Sequence, residues 1–362
     1  MTYPRQDSRR PTARSRRGRH GTGPRAALLA AALFLLPLAA APAQAAGTDP
    51  EAPEMPPVEA VDDAAFQAWL KGVAEEAAAR GVSRATLDRA LPGLSPIERV
   101  IELDRRQPEF TMTLDRYLRN VVSQTRIDRG RRLLAAHRDE IEAIAARHGV
   151  QPRYLVALWG IETNFGSNTG GFQVIPALAT LAYEGRRAEF FRKQLMDALV
   201  IMDRQDMEVA EMKGSWAGAM GQVQFMPSTY MAYAHDGDGD GDMDIWEDRV
   251  DALSSAANYL SSLGWDPGET WGRPVRLPKG FDTALAENKV YKGLNEWQEM
   301  GVRRPDGSDL PSPNLRSRIL LPSGPDGPAY VVYGNFDRIL NWNRSNFFGI
   351  AVGKLSDRIG GR

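Results

Sequence analysis

Ala157-Leu158-Trp159-Gly160-Ile161-Glu162-Thr163-Asn164-Phe165-Gly166 holds one charged side chain in a run that is otherwise largely apolar. Upstream, Pro152 suits the first position of a helix running to about Thr163, with Gly166 just past its end. Leu155, Leu158, Trp159 and Glu162 then recur at i, i+3, i+4 and i+7, which places Glu162 on the apolar face. A carboxylate among apolar groups is destabilised as an anion, and a nearby helix C-terminus destabilises it further. The pKa of Glu162 is therefore expected to rise, toward a general acid that keeps its proton near neutral pH. The same residues also fit a structural glutamate satisfied by an arginine or by backbone amides.

The rest of the chain narrows the chemistry. Its 362 residues are 25% charged and 43% hydrophobic, with 34 Gly and 24 Pro, which is a globular composition. With no cysteine, a disulfide scaffold, a thiolate zinc site, a cysteine nucleophile and an acylated anchor are all excluded, and four His leave little for imidazole-rich metal chemistry. The formal net charge of -1 conceals two unlike parts. Residues 1–45 carry eight Arg against Asp7 alone, a charge of +7, so the remainder carries -8. The basic stretch leads into the apolar run Ala26 to Ala41 and then Ala43-Gln44-Ala45, the pattern of a secretory signal cleaved near Ala45. The apolar run is shorter than a membrane span and is broken by Pro37, so no stable membrane anchor is expected. A periplasmic location follows, and an acidic mature chain argues against a nucleic-acid partner.

Residues 46–63 are Pro- and acid-rich and read as a linker, followed by one catalytic domain over 64–362. Phe66, Trp69, Leu70 and Val73 recur at helical spacing. Ser83 is placed to cap a helix over Ser83 to Ala90, and helical patterning continues through Leu114 to Gln124 and Gly130 to His148. After Trp265 the texture changes to Pro/Gly-punctuated segments with β-branched runs such as Tyr330-Val331-Val332-Tyr333. The expected fold is mainly α (α+β), with a small β-containing C-terminal subregion.

The stretch around Glu162 resembles the catalytic-glutamate motif of the lytic murein transglycosylases, specifically the membrane-bound lytic transglycosylase B family. Ser215-Trp216-Ala217-Gly218-Ala219-Met220-Gly221-Gln222-Val223-Gln224-Phe225-Met226-Pro227-Ser228 is similar to that family's Gly/Gln motif. Glu102-Leu103-Asp104-Arg105-Arg106-Gln107-Pro108-Glu109-Phe110-Thr111 is similar to another of its signatures. The resemblance runs from about Phe66 to Lys354. It implies a lysozyme-like catalytic domain that cleaves the β-1,4 bond between N-acetylmuramic acid and N-acetylglucosamine of peptidoglycan glycan strands. The muramyl C6 hydroxyl, rather than water, would capture the anomeric carbon, leaving 1,6-anhydromuramyl ends, with Glu162 as the single acid and base. A nucleophile already within the substrate replaces a second enzymic group by effective molarity. The acids Glu184, Asp197 and Glu208 read as solvated helix charges.

The resemblance further implies substrate contacts. Gly218 and Gly221 would let backbone pass close to the sugar, Gln224 would bond an N-acetyl or hydroxyl group, and Ser215 would orient Glu162. Arg186 and Arg187 would meet carboxylates of the glycan, and Tyr259 and Phe225 would line the cleft. Trp342 and Phe348 stand where the founding member has tyrosines; stacking on a sugar would survive the change, but a phenolic contact would not.

Asp236-Gly237-Asp238-Gly239-Asp240-Gly241-Asp242-Met243-Asp244-Ile245-Trp246-Glu247 fits the spacing of an EF-hand calcium loop. Asp236, Asp238 and Asp240 would supply oxygens at positions 1, 3 and 5, Asp242 its carbonyl at 7, and Glu247 a bidentate carboxylate at 12, with Gly241 at the sharp turn. Met243 departs from the β-branched residue that usually joins paired loops, which agrees with a lone EF-hand-like loop holding structural Ca2+. A non-catalytic, calcium-stabilised peptidoglycan-binding protein, a hydrolytic lysozyme with a second carboxylate and a secreted calcium sensor are the alternatives.

Overall fold

A computed structural model of the chain describes residues 63–105, 112–184, 186–311 and 314–361. The expected leader, residues 46–62 of the expected linker and Arg106 to Thr111 of the third signature lie outside the described residues, while Asp63, placed at the end of that linker, is the first residue of a helix. Among the described residues, no helix is long and apolar enough to cross a membrane.

The N-terminal helices start where the side chains can cap them. Helix α1 (Asp63–Ala79) buries Phe66, Leu70 and Val73, the stripe that the spacing predicts. In α2 (Arg84–Ala90) the Ser83 hydroxyl accepts from the Thr86 amide. Helix α3 (Glu98–Arg105) follows, and α4 (Leu114–Val121) is capped in the same way by Thr113. The predicted run to Gln124 is broken, because the Ser123 hydroxyl accepts from Arg126 N and starts α5 (Gln124–Ala136) there. The predicted helix from Gly130 is divided as well: Gly130 lies inside α5, and α6 (Arg138–His148) begins after a break at His137. Gly130 is explained by packing, since a Cβ there would come within 2.6 Å of the Ile359 side chain.

Helix α7 (Pro152–Thr163) begins at Pro152 as predicted and is buried on almost every side. A helix apolar all round belongs in the middle of a fold. Tyr154, Leu155, Val156 and Leu158 are fully buried, and each contributes about 2 kcal/mol. That sum can offset the cost of holding one carboxyl in the same helix. The helix ends at Asn164, which takes the left-handed conformation at φ 50°.

A two-residue strand β1 (Phe172–Gln173) leads into α8 (Val174–Glu184) and α9 (Ala188–Arg204), and β2 (Lys213–Gly214) pairs antiparallel with β1. Helices α10 (Pro227–Tyr233) and α11 (Arg249–Ser262) flank the acidic loop.

The C-terminal texture change is a real change of structure. Strand β3 (Gly272–Val275), α12 (Ala284–Glu287), β4 (Tyr291–Gly293), α13 (Leu294–Glu299), β5 (Arg316–Leu320) and β6 (Ala329–Val332) form an antiparallel sheet in the order β3-β6-β5-β4, with two short helices. The predicted Tyr330 run is the strand β6, in register with Arg273, through Val331, on one side and with Ile319 on the other. This subregion has its own core around Trp297, Val302, Ile319 and Tyr333. The chain then returns to the helical core with α14 (Gly334–Trp342) and α15 (Asn346–Ile359), and α15 packs on α4, α5, α7 and α14. The fold is mainly α with small sheets, as expected.

Candidate active site

Glu162 lies in the last turn of α7, with a partly accessible surface and a carboxyl set deep in protein. Burial pushes its pKa up to about 8, against a smaller opposing effect of a hydrogen bond from Trp342. The direction is the one its apolar neighbours predict. Trp342 comes from the end of α14, and its Nε1 donates to Glu162 Oε1 at 2.8 Å. Its ring packs on Phe225 at 5.3 Å and on Tyr259 at 5.4 Å between centroids. Tyr259 donates its hydroxyl to the Asn341 carbonyl at 3.0 Å, so it steadies the backbone next to Trp342. The phenol of Tyr117, on α4, also feels Glu162: burial raises its pKa, and the neighbouring carboxylate adds to the rise.

The Gly/Gln segment is a clasp on this helix. Gln222 Oε1 accepts from Trp159 Nε1 at 3.0 Å, and its carbonyl accepts from Thr163 Oγ1 at 2.7 Å. The Gln222 backbone amide donates to Ile245 O at 2.8 Å, and its side-chain amide donates to Trp246 O. Gly221 has φ 63°, and a Cβ there would sit 2.5 Å from Ile245 O. The close approach at Gly218 is to the Leu178 side chain. The small residues therefore make room for protein in this structure, where the sequence reading assigned the space to sugar. Gln224 is likewise committed, its Nε2 donating to Thr169 O and Gly221 O. Ser215 Oγ accepts from the Ala219 amide at 3.0 Å, while the hydrogen bond that reaches Glu162 comes from Trp342.

Other expected contacts divide by exposure. Phe225 is 2% exposed and Phe348 is 4% exposed, so both rings serve the core and neither offers a face for stacking on a sugar. Arg186 is exposed, and Nη2 donates to the Asp104 carbonyl at 2.8 Å. Arg187 lies 3.6 Å from the buried Asp104 carboxylate and 4.9 Å over the Phe191 ring, which leaves it less free than the resemblance implied. Among the acids read as solvated, Glu184 pairs with Arg105 and Glu208 with Arg89. Asp197 is half-buried instead, with its pKa raised by that burial.

The acidic loop is organised by its own carboxylates. Asp236 accepts from the Gly239 and Gly241 amides at 2.6 and 3.0 Å, Asp238 from Asp240, and Asp240 from Asp242. Asp251, in the first turn of α11, is 1% exposed and accepts from Gly237 and Asp244 amides at 2.7 and 2.8 Å. Oxygens of Asp236, Asp238 and Asp251 lie within 4.8 Å of one another. Burial raises the Asp251 pKa to about 6, and nearby Asp248 and Asp238 reinforce the rise. Such a converging set of hard oxygen donors fits a cation of the calcium class. Glu247, predicted to close the loop, is exposed, and the group of three takes its buried carboxylate from Asp251.

A sequence profile for the transglycosylase SLT domain matches residues 65–357. The chain belongs to this transglycosylase family. It is 31% identical over 251 residues to membrane-bound lytic murein transglycosylase B of Escherichia coli strain K12, covering 67% of this chain and 66%, just under two thirds, of that protein. Its structure is similar to that of SltB3 from Pseudomonas aeruginosa in complex with NAG-anhNAM-pentapeptide, at 46% identity and TM-score 0.79, over 82% of this chain and 80% of that one. It is also similar to the Escherichia coli lytic transglycosylase Slt35 in complex with calcium, at 28% identity and TM-score 0.67, over 82% and 92% of the two chains.

Three residues of this transglycosylase domain escaped the sequence reading. Tyr117 carries a signal in retrospect, an aromatic ring near Leu114 and Val121 on the buried side of α4. Gln222 was passed over for Gln224, although only geometry tells two alternating glutamines apart. Asp251 lies four residues beyond the loop pattern, and the turn of α11 brings it back.

Proposed function

We propose that the protein is a peptidoglycan lytic transglycosylase with Glu162 as its single general acid and base. The observation that carries this reading is a partly accessible carboxyl whose pKa is raised to about 8 in a domain of the transglycosylase family. Protonated Glu162 would donate to the glycosidic oxygen as the bond to the muramyl C1 breaks. The resulting carboxylate would then take the proton of the C6 hydroxyl as that oxygen bonds to C1. The product is a 1,6-anhydromuramyl end, and no water is consumed.

Two observations support one carboxylate rather than two. Burial and the Trp342 bond account for the proton affinity of Glu162, with no neighbouring acid contributing among the described residues. The relative SltB3 was crystallised with a NAG-anhNAM-pentapeptide, which carries the anhydro end such a reaction forms. Asp236, Asp238 and Asp251 would hold Ca2+, with Asp240, Asp242 and Glu247 as further oxygen donors on the same loop. The ion would be structural, and the clasp at Ile245 and Trp246 would pass that rigidity to α7. The basic leader and its Ala43-Gln44-Ala45 site support export to the periplasm, where the glycan lies.

Mass spectrometry of digested sacculi tests the reaction. Anhydromuramyl ends that vanish with Glu162→Gln are expected. Reducing muramic ends without anhydro ends would overturn it in favour of hydrolysis.

A further inference from the structure

Trp342 reaches Glu162 through its nitrogen, which its reading as a sugar-stacking ring does not use. The indole is held between Phe225 and Tyr259, and Tyr259 is tied to the carbonyl of the preceding residue, Asn341. So constrained, the ring presents Nε1–H to Glu162 Oε1 at 2.8 Å. An indole nitrogen donates and cannot accept. The carboxyl oxygen facing it must accept, and in a protonated carboxyl the carbonyl oxygen is the better acceptor. A phenol in the same place could donate or accept, and would leave the choice open.

We propose that Trp342 is a positioning residue that occupies Oε1 with a donor-only group and so assigns the acid proton of Glu162 to Oε2. The inference rests on the general-acid reading above. In the first step Oε2–H passes its proton to the glycosidic oxygen, the bond from that oxygen to C1 breaks, and negative charge appears on the carboxylate. The Trp342 bond becomes charge-assisted at that moment, which favours the anion as it forms. In the second step the C6 oxygen bonds to C1 and its proton goes to Oε2, which restores the starting state. One oxygen thus handles the proton in both steps while the other stays bonded.

The experiment replaces the N–H and keeps the ring. Trp342→Phe removes the donor, and site-specific 3-benzothienylalanine at position 342 exchanges N–H for sulfur at nearly the same shape. The readouts are kcat, KM and the alkaline limb of the pH profile on a defined muropeptide tetrasaccharide. Loss of a bond that favours the anion should move the alkaline limb up by about one pH unit. We expect kcat to fall about tenfold while KM stays within about twofold. An alkaline limb that stays in place, with KM raised instead, would overturn the inference and return Trp342 to stacking alone. Glu162→Gln, assayed beside them, separates the two levels. If it is inactive while the limb fails to move, only the positioning role falls; if it is active, the general-acid reading falls and this inference with it.

Discussion

Glu162→Gln should make the protein more stable at pH 7 while abolishing its activity. The ordinary pKa of a glutamate is 4.5, and burial raises that of Glu162 to about 8 in the folded chain. Below pH 4.5 both the folded and unfolded states hold the proton, so the residue imposes no penalty. Above it the unfolded chain releases the proton and the folded chain does not. Stability then falls by about 1.4 kcal/mol per pH unit, and the loss levels off above the folded pKa. At pH 7 the penalty reaches about 3 kcal/mol, and about 2 kcal/mol once relaxation around a partly accessible residue is allowed for. Glutamine has nearly the same shape, carries no charge, and keeps an Oε1 that can accept from Trp342. Its gain should therefore appear at pH 7 as a melting temperature higher by about 5 °C, and should vanish near pH 4.5. Calorimetric melts of both proteins at the two pH values measure it. Equal melting temperatures at pH 7, or a gain just as large at pH 4.5, would refute the buried-acid account.

Two other expectations concern the scaffold. Chelation should lower the melting temperature and added Ca2+ restore it; Asp251→Asn should weaken that response more than Glu247→Gln, and the reverse order would restore the 12-residue loop as predicted. Gly221→Ala places a Cβ against Ile245 O at a residue with positive φ. It should cost about 1–3 kcal/mol in chemical denaturation, and a neutral result would mean that the clasp is looser than its geometry.

What was legible in the sequence was local. The start of α7 at Pro152, the cap at Ser83 and the apolar setting of Glu162 all follow from residues within about two turns of one another. The strand at Tyr330 was readable because β-branched residues cluster there. The breaks at Ser123 and His137 were missed because apolar spacing continues across them, while the Ser123 cap acts on a single amide. Partners distant in sequence were not legible. A stacking Trp342 could be proposed from the sequence alone, but its bond to Glu162 depends on α14 and α7 meeting. Phe348 looked available for sugar until the core closed over it. Gly218 and Gly221 show the same limit, since the need for space is visible in a glycine while its occupant is not.

The bond between Trp342 and Glu162 spans 180 residues of chain, and this sets an order of assembly. At ribosomal speeds of about 5–20 residues per second, Trp342 is made roughly ten to forty seconds after Glu162. Throughout that interval α7 lacks the packing of α15, and Glu162 lacks the donor that α14 brings to it. Contacts so distant in sequence also form late and slowly when the whole chain folds. The bonded arrangement of Glu162 and Trp342 is therefore completed only when the last two helices dock, at the end of assembly.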